Sequence, residues 1–344
     1  MEHNFHLRDM IPSLAQDKRA LAAFLLRHQL RLEDDIDYAA AFVDDEDEIM
    51  ACGCAAGSVL KCFAVDERLR GHNLLGQLLS ALMADRFAKG RFELFVYTKP
   101  QNSALFINSG FHPLLTTDKV AMLENREGGV ARFTSAIAAP CDGVCGAVVM
   151  NCNPFTLGHR YLAEYAAAHC RLLYLFVVEE DRSVFPFADR LRLVQEGVAD
   201  ISNIRVCPGG PYMISAATFP TYFLKQDDDA VAIEAELDLR LFGEQIAPQL
   251  NISRRFVGEE PACAVTQQYN RLMRELLPPL GVEVVEIPRK TESGGTAISA
   301  STVRRLIAEG ADQQLLRRYL PDSSCAYLQT PAGRAVAAQL RGQS

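Results

Sequence analysis

Apolar positions follow a mixed helix and strand pattern along the first 125 residues. A run of apolar residues at helical spacing gives way to the shorter alternation that is typical of half-buried strands. The predicted elements are, in order, a helix over 17–32, strands over 37–43, 48–56 and 58–65, a helix ending at Gly90, a strand over FELFVYT, a short helix near Asn102 and a strand near 119–124. The acidic tract Asp44–Asp47 falls between two strands and is predicted to be a solvated hairpin turn.

From residue 145 onward, short apolar strands alternate regularly with helical stretches. Strands are predicted over 146–151, 171–178, 203–206, 252–257 and 282–287, and helices over 187–199, 214–225, 238–249 and 263–277. This spacing favours parallel βαβ units, which bind ligands at the carboxyl ends of their strands. Between 125 and 143 the chain mixes Gly, Pro and small residues without a clear period. We therefore expect an α/β protein with two domains, 1–130 and 143–344.

The composition of the chain argues against two classes of binding partner, nucleic acids and anionic membranes. Of the 344 residues, 49% are hydrophobic and 43 acidic residues outnumber 35 basic ones, for a net charge of -8. The chain has no long basic run, so we expect it to bind neither nucleic acid nor an anionic membrane surface. The ten cysteines include no CxxC pair, and the polar N-terminus resembles no secretory signal. These features predict a cytoplasmic protein with reduced thiols and no metal-binding cluster.

The sharpest chemical signal is the segment Val148–Arg160. It runs from a buried strand through Asn153-Pro154 into a helix, and this arrangement places backbone N–H groups and the helix dipole at one pocket. Thr156 and His159 lie on the first turn, where both can face a phosphate group, and Gly158 allows a close approach to the backbone. An imidazole at this position can stabilise charge that develops on a phosphoryl group. Cys152 is interpreted as a small residue beneath the turn.

A second segment of similar chemistry lies near the C-terminus. Ile298–Arg304 (ISASTVR) offers hydroxyl groups at a predicted helix start, with an arginine one turn later. Such a turn can serve only as a helix cap, but it can also hold phosphates through charge-assisted hydrogen bonds. The two segments follow the first and last predicted strands of one α/β domain. This placement favours a shared nucleotide site.

These segments resemble the [HT]xGH and ISSTxxR-type motifs of the nucleotidyltransferase superfamily, which implies a Rossmann-like parallel sheet. Five longer stretches, MNCNPFTLGHRYL, VVEEDRSVFPFADRLRLVQEG, GGPYMISAATFPTYFLK, RRFVGEEPACAVTQQYN and ISASTVR, are similar to the citrate lyase ligase family. Met150 stands where the superfamily usually has Gly. The resemblance implies that ATP, with Mg²⁺ on its triphosphate, activates acetate as acetyl-adenylate. The thiol of the citrate lyase acyl carrier subunit then takes the acetyl group.

The resemblance also implies roles for individual residues. Three catalytic residues are implied, Thr156, His159 and Arg304. The implied nucleotide-binding residues are Asn151, Asn153, Pro154, Phe155, Gly158, Gly258, Glu259, Ser299, Ser301 and Thr302. The acetate carboxylate needs a cation, and Lys225 and Arg182 are the candidates. Ser215, Thr218 and Tyr222 are expected to share the predicted helix of Lys225.

The first 130 residues resemble the GNAT acyltransferase fold. In that family a turn of the form [RQ]xxGx[GA] at a helix start offers N–H groups to the pyrophosphate of an acyl-coenzyme A. This chain has Arg68 and Gly71, but Asn73 stands where Gly or Ala is usual. The resemblance implies a GNAT-like α+β domain ahead of the nucleotidyltransferase domain.

Two other functions remain open from the residues. An adenylyltransferase would transfer AMP to a phosphorylated metabolite of the nicotinamide mononucleotide or phosphopantetheine type, giving a stable dinucleotide-like product. A sensor would bind the nucleotide without turnover. The group that accepts AMP distinguishes the first of these from the ligase.

Overall fold

The computed structural model describes residues 5–69, 72–179, 183–214, 219–225, 228–260, 263–291 and 297–342. The chain divides into two compact units. The first comprises Met1–Gly129 together with Phe219–Ile233, and the second comprises Val130–Thr218 together with Glu234–Ser344. A segment from the middle of the second half of the chain therefore packs with the first unit.

The described part of the first unit contains a seven-stranded mixed sheet in the order β1-β2-β3-β4-β5-β7-β6. Its strands are β1 (Phe5–Met10), β2 (Tyr38–Asp44), β3 (Ile49–Ala56), β4 (Val59–Val65), β5 (Phe95–Thr98), β6 (His112–Thr116) and β7 (Ala121–Glu124). Its helices are α1 (Ala15–Arg27), α2 (Leu74–Ala88) and α3 (Ser103–Ile107). Strands β4 and β5 are parallel and pair only at Val59 with Phe95 and at Leu60 with Val96. The other neighbouring strands are antiparallel.

The segment that begins at Phe219 is held in the first unit by buried polar contacts. The Tyr222 hydroxyl donates to the carbonyl oxygen of Tyr97 at 2.8 Å, and Tyr222 is 3% exposed. Glu33 accepts hydrogen bonds from the backbone N–H of Thr221 at 2.6 Å and from its hydroxyl at 3.0 Å. The other carboxylate oxygen of Glu33 lies 2.7 Å from Lys61 Nζ. These contacts hold the segment, which makes a turn closed by the hydrogen bond from the Leu224 N–H to the carbonyl oxygen of Thr221.

The described part of the second unit contains a five-stranded parallel sheet in the order β10-β9-β8-β11-β12. Its strands are β8 (Cys145–Met150), β9 (Leu172–Val177), β10 (Ile204–Pro208), β11 (Ile252–Gly258) and β12 (Glu283–Ile287). The chain moves outward from β8 in one direction and then crosses to β11 on the other side. The point where the strand order reverses is therefore beside the carboxyl end of β8, where such sheets bind ligands.

Helices accompany each step of this parallel sheet. They are α4 (Gly129–Ile137), α5 (Leu157–Ala168), α6 (Phe187–Gly197), α7 (Ala230–Leu241, continued by a π-helical turn over Phe242–Ile246), α8 (Ala264–Leu276), α9 (Ala300–Ala308), α10 (Gln313–Leu316), α11 (Asp322–Tyr327) and α12 (Pro331–Gly342). Val148 of β8 and Leu173 and Leu175 of β9 are fully buried in one core with residues of α5, α6, α9 and α12. In the described ranges, no helix is long and apolar enough to cross a membrane.

The predicted α/β class, with a mixed α+β part followed by a parallel sheet, is confirmed by these two sheets. Three local predictions are wrong. Residues 219–225 do not form the predicted helix, because their side chains and backbone bind the first unit. The helix predicted over 238–249 begins at Ala230. The stretch 125–143, predicted to lack regular structure, contains α4.

Candidate nucleotide-binding site

The loop between β8 and α5 forms the floor of the candidate site. Cys152 has a left-handed backbone with φ 54°, and its side chain is buried beneath the turn as predicted. The Asn153–Pro154 peptide is cis. Asn153 Oδ1 accepts a hydrogen bond from the backbone N–H of Phe185 at 3.1 Å. A backbone group from the loop after β9 therefore helps to hold this loop in place.

Arg190 of α6 is the principal side chain that holds this loop. Its guanidinium group is fully buried, and Nη1 donates to the carbonyl oxygens of Asn151 at 2.6 Å and Val178 at 2.8 Å. Nη1 also lies 2.7 Å from Asn151 Oδ1, and Nε donates to the carbonyl oxygen of Phe185 at 3.0 Å. Because Arg190 holds Asn151 Oδ1, the amide NH₂ group of Asn151 is on the side of the amide away from the guanidinium. Asn151 is thereby oriented as a hydrogen-bond donor.

Thr156 and His159 form a reciprocal cap at the start of α5. Thr156 Oγ1 accepts from the backbone N–H of His159 at 3.3 Å, and the backbone N–H of Thr156 donates to His159 Nδ1 at 3.0 Å. An N–H group can only donate, so Nδ1 is the acceptor and the neutral ring carries its proton on Nε2. Thr156 itself is 1% exposed. Thr156 therefore orients the imidazole, which is left with an Nε2–H donor.

The protonation state of His159 follows from its surroundings. Burial, and to a smaller extent the positive charge of Arg289, lowers the pKa of the imidazole from 6.5 to about 4. Phe155 stacks nearly parallel to the ring at a centroid distance of 5.9 Å. At neutral pH His159 is an uncharged hydrogen-bond donor.

The second motif packs directly on the first. Ser299 caps α9 by accepting from the backbone N–H of Thr302 at 3.1 Å, and its Oγ lies 2.9 Å from Ser301 Oγ and 2.8 Å from Thr302 Oγ1. A Cβ added to Gly158 would lie 2.8 Å from the carbonyl oxygen of Ile298. The absence of a side chain at Gly158 thus admits the protein's own Ile298 turn beside the start of α5.

Arg304 joins the two motifs. Its Nη1 donates to the carbonyl oxygen of Asn153 at 2.6 Å, and burial lowers the pKa of its guanidinium group. The C-terminal helices support the same loop, because Ser324 Oγ donates to the carbonyl oxygen of Phe155 at 2.9 Å. The start of α5, the start of α9 and Arg304 therefore surround one region at the carboxyl end of β8.

The carboxyl end of β11 leaves room beside this region. Among the described residues, no atom lies within 4 Å of a Cβ built on Gly258. Arg289, which follows β12, donates through Nε to the carbonyl oxygen of Glu259 at 2.7 Å and forms an ion pair with Glu260. Arg289 thus places a cation near His159 and fixes the Glu259–Glu260 turn.

Of the two candidate cations for acetate, Lys225 is among the described residues and Arg182 is not. Lys225 lies in the part of the chain that packs with the first unit, where its side chain is exposed and its backbone N–H donates to Asp228 at 2.9 Å. The candidate residues for binding the phosphates and the adenosine belong to the second unit. Arg182, Ser215 and Thr218 lie outside the described residues.

The predicted coenzyme turn of the first unit is only partly described. Asn73 is the N-cap of α2 with a left-handed φ of 52°, and its Oδ1 would lie 2.7 Å from a Cβ placed on Gly76. The asparagine side chain therefore covers the first turn of α2. Arg68 makes a two-point contact with Asp66, at 2.9 and 2.8 Å. Gly71 lies outside the described residues.

The sequence interpretation missed Arg190 and Arg289. Arg190 lies within the quoted stretch FPFADRLRLVQEG, but nothing in its spacing distinguishes it from the exposed Arg192. Arg289 had a usable signal, because the basic pair Arg289-Lys290 follows the carboxyl end of the last predicted strand. Within the described residues, no group of three or more His, Cys, Asp or Glu side chains could hold a metal ion.

Comparison with known proteins assigns the family. The family model for the citrate lyase ligase C-terminal domain matches residues 145–328. The chain is 41% identical over 319 residues to the citrate (pro-3S)-lyase ligase of Klebsiella pneumoniae, which covers 90% of this chain and 92% of that protein. The chain belongs to the citrate lyase ligase family. This membership makes it an enzyme of the ligase class.

Two further relatives carry the same name. The citrate (pro-3S)-lyase ligase of Haemophilus influenzae is 42% identical over 329 residues, covering 92% of this chain and 97% of that protein. The enzyme from Escherichia coli strain K12 is 39% identical over 320 residues, covering 90% of this chain and 89% of that protein. The match therefore extends over both units.

Solved structures resemble about a third of the chain. A putative acyl-CoA N-acyltransferase from Klebsiella pneumoniae is 21% identical, with a TM-score of 0.29, and covers 35% of this chain and 95% of its own. Escherichia coli ElaA is 15% identical, with a TM-score of 0.31, and covers 36% of this chain and 100% of its own.

Proposed function

We propose that the protein activates acetate with ATP and transfers the acetyl group to the thiol of the citrate lyase acyl carrier subunit. A carboxylate oxygen of acetate attacks the α-phosphorus, the bond to the β-phosphate oxygen breaks, and pyrophosphate leaves. The thiol sulfur then attacks the acetyl carbonyl carbon, AMP leaves, and the thiol proton passes to solvent. The observation that carries this proposal is the packing of the two phosphate-type turns against each other, Gly158 against Ile298.

The residue roles follow from the described hydrogen bonds. His159 Nε2–H and the N–H groups at the start of α5 stabilise the charge that develops on the α-phosphoryl oxygens. Thr156 acts by orienting His159, because its Oγ1 and backbone N–H are used in the cap. Ser299, Ser301, Thr302 and Arg304 hold the β- and γ-phosphates. Pro154 and Phe155 shape the loop beneath them.

The remaining nucleotide contacts lie on either side of the phosphates. Asn151 donates its amide NH₂ to a phosphate oxygen, in the orientation that Arg190 imposes. The adenosine lies against Gly258 and Glu259, since a Cβ built on Gly258 meets no atom of the described residues within 4 Å. Arg182 is the candidate cation for the acetate carboxylate.

Mg²⁺ fits this site as a companion of the triphosphate. The described residues contain no three-member cluster of protein ligands, and the nucleotide brings phosphate oxygens, which are the ligands that Mg²⁺ prefers. Mg²⁺ would offset the negative charge on the pyrophosphate leaving group. A chelator is therefore expected to stop the reaction, and added Mg²⁺ is expected to restore it.

The names of the relatives support the proposal that a group on citrate lyase accepts the acetyl group. Proteins of 39–42% identity are called citrate (pro-3S)-lyase ligases. A ligase that acts on citrate lyase needs an acceptor group on that enzyme, and a thiol is the nucleophile that converts an acyl-adenylate into a thioester.

Transfer of labelled acetate tests the full reaction. Purified protein, ATP, Mg²⁺, labelled acetate and the deacetylated carrier should give a labelled carrier and one AMP for each acetyl group. Hydroxylamine should release the label, as expected for a thioester. A stable dinucleotide formed from a phosphorylated metabolite, without acetate dependence, would instead establish the adenylyltransferase.

A further inference from the structure

A polar pocket of about 570 Å³ lies beside the carboxyl ends of β11 and β12. Its lining comes from the turn after β11, from one face of α8 and from β12. The lining includes Glu260, Gln267, Asn270, Arg271, Arg274 and Glu286. None of these side chains has a role in the phosphate-binding turns described above.

Asn270 gives this pocket an unmet hydrogen-bonding requirement. Its side chain is 2% exposed, and Nδ2 donates to the carbonyl oxygen of Gly258 at 3.1 Å and to Glu286 Oε1 at 3.0 Å. Its Oδ1 is buried and accepts no hydrogen bond from the described residues. A buried amide oxygen without a donor is costly, so a ligand that brings an N–H or O–H group here gains from supplying it.

The charges of the lining are nearly balanced. Glu286 forms an ion pair with Arg274, and Glu260 forms one with Arg289. Both carboxylates are therefore neutralised, and the amides of Gln267 and Asn270 add donors and acceptors without charge. This lining suits a neutral ligand that has both amide N–H and amide C=O groups.

Arg271 marks the outer end of the pocket. Its side chain is 62% exposed, and its carboxylate neighbour Glu275 lies 4.0 Å away, at the limit of an ion pair. A cation in this position attracts a phosphate at the outer end of a neutral chain.

The inner end of the pocket adjoins the candidate nucleotide site. Asn270 binds the carbonyl of Gly258, the residue whose open side faces the proposed adenosine position. Arg289 pairs with Glu260 of the pocket and lies close enough to His159 to lower the pKa of that imidazole. A chain that enters past Arg271 and reaches Gly258 therefore arrives beside the nucleotide.

We propose that this pocket receives the amide-bearing thiol arm of the acyl carrier. An amide N–H of the arm donates to Asn270 Oδ1, Gln267 binds an amide group, and Arg271 pairs with the phosphate at the outer end of the arm. The proposal rests on the proposed function, since it assigns the acceptor of the second half-reaction to a place in the second unit.

The test separates the two half-reactions in the full-length protein. Acetate-dependent exchange of pyrophosphate into ATP reports the first, and acetyl transfer to the carrier or to free pantetheine reports the second. For Gln267→Ala and Arg271→Ala we expect exchange with the wild-type KM for ATP. The KM for the carrier should rise on the order of tenfold, as for the loss of one hydrogen bond to a charged or buried partner. Val265→Ala, at an exposed position on α8 outside the lining, is the matched control.

Free pantetheine distinguishes the arm from the carrier surface. Gln267→Ala and Asn270→Ala should weaken transfer to pantetheine as well, whereas Arg271→Ala should weaken transfer only to the phosphate-bearing carrier. A raised KM for ATP in the exchange assay would assign the pocket to the nucleotide and overturn the proposal. Normal transfer by Gln267→Ala and Arg271→Ala, whose side chains are exposed, would also overturn it. Absence of exchange in the wild type would instead reject the proposed function itself.

Discussion

His159 contributes to both the stability and the chemistry of α5. Its Nδ1 accepts the backbone N–H of Thr156, so the ring completes the helix cap while its Nε2–H remains a donor. For His159→Ala we expect pyrophosphate exchange to fall by about 10²–10³-fold, because one transition-state donor is lost. Loss of the cap should also lower the free energy of unfolding by about 1 kcal/mol.

His159→Gln is the matched variant for this prediction. Glutamine at the third helical position can accept the N-cap N–H group, so the cap is retained while the imidazole is removed. The thermal midpoint should then stay near the wild-type value while exchange remains low. Full exchange activity in either variant would remove His159 from the chemistry.

The lowered pKa of His159 predicts a dependence of stability on pH. Above pH 6.5 the imidazole is neutral in the native and the unfolded chain. Between pH 6.5 and about 4 the unfolded chain binds a proton at His159 that the native chain does not bind. The free energy of unfolding therefore decreases as the pH is lowered through this range. Denaturant unfolding at pH 7.5 and pH 5 should show a larger loss for wild type than for His159→Gln. Equal losses would contradict the assigned pKa.

At the scale of elements, substitutions at two glycines distinguish an effect on helix packing from an effect on nucleotide binding. Gly158 faces the carbonyl oxygen of Ile298, whereas Gly258 faces open space. Gly158→Ala should push the α9 turn away from α5, lower the free energy of unfolding by about 1–3 kcal/mol and raise the KM for ATP. Gly258→Ala should keep the wild-type thermal midpoint and raise only the KM for ATP. An unchanged KM in Gly258→Ala would move the adenosine elsewhere.

Arg190 tests whether α6 positions the loop after β8. Arg190→Lys keeps the charge but cannot reproduce the forked contacts with Asn151, Val178 and Phe185. We expect kcat/KM for exchange to fall on the order of tenfold. Arg192→Lys, an exposed position on the same helix, should leave exchange unchanged. Equal activity of the two variants would show that the loop does not need Arg190.

Elements whose conformation is set by neighbouring residues could be predicted from the sequence, whereas those set by distant contacts could not. The strand β8 and the start of α5 were predicted correctly because the apolar run and the turn residues lie within one short stretch. A helix is predicted over 214–225, but residues 219–225 bind Glu33, Tyr97 and Arg31, which are distant in sequence and leave no signal in the local spacing. The burial of Arg190 likewise depends on two loops, the one after β8 and the one after β9, which meet only in the fold.

At the scale of the whole molecule, the division of the chain limits how its parts can be tested. Phe219–Ile233 packs with the first unit although the residues on both sides belong to the second. A fragment that starts near residue 143 would expose Phe219, Tyr222 and Phe223, which are 3–6% exposed in the full chain. Point variants in the full-length protein therefore give clearer evidence than truncation.

The most direct test of the central claim is exchange of labelled pyrophosphate into ATP by the full-length protein with Mg²⁺ and without any carrier. Reversible formation of acetyl-adenylate at the α5 and α9 turns predicts exchange that requires acetate. His159→Ala should abolish most of it. Exchange that proceeds equally without acetate, or no exchange from a protein that binds ATP, would contradict the account.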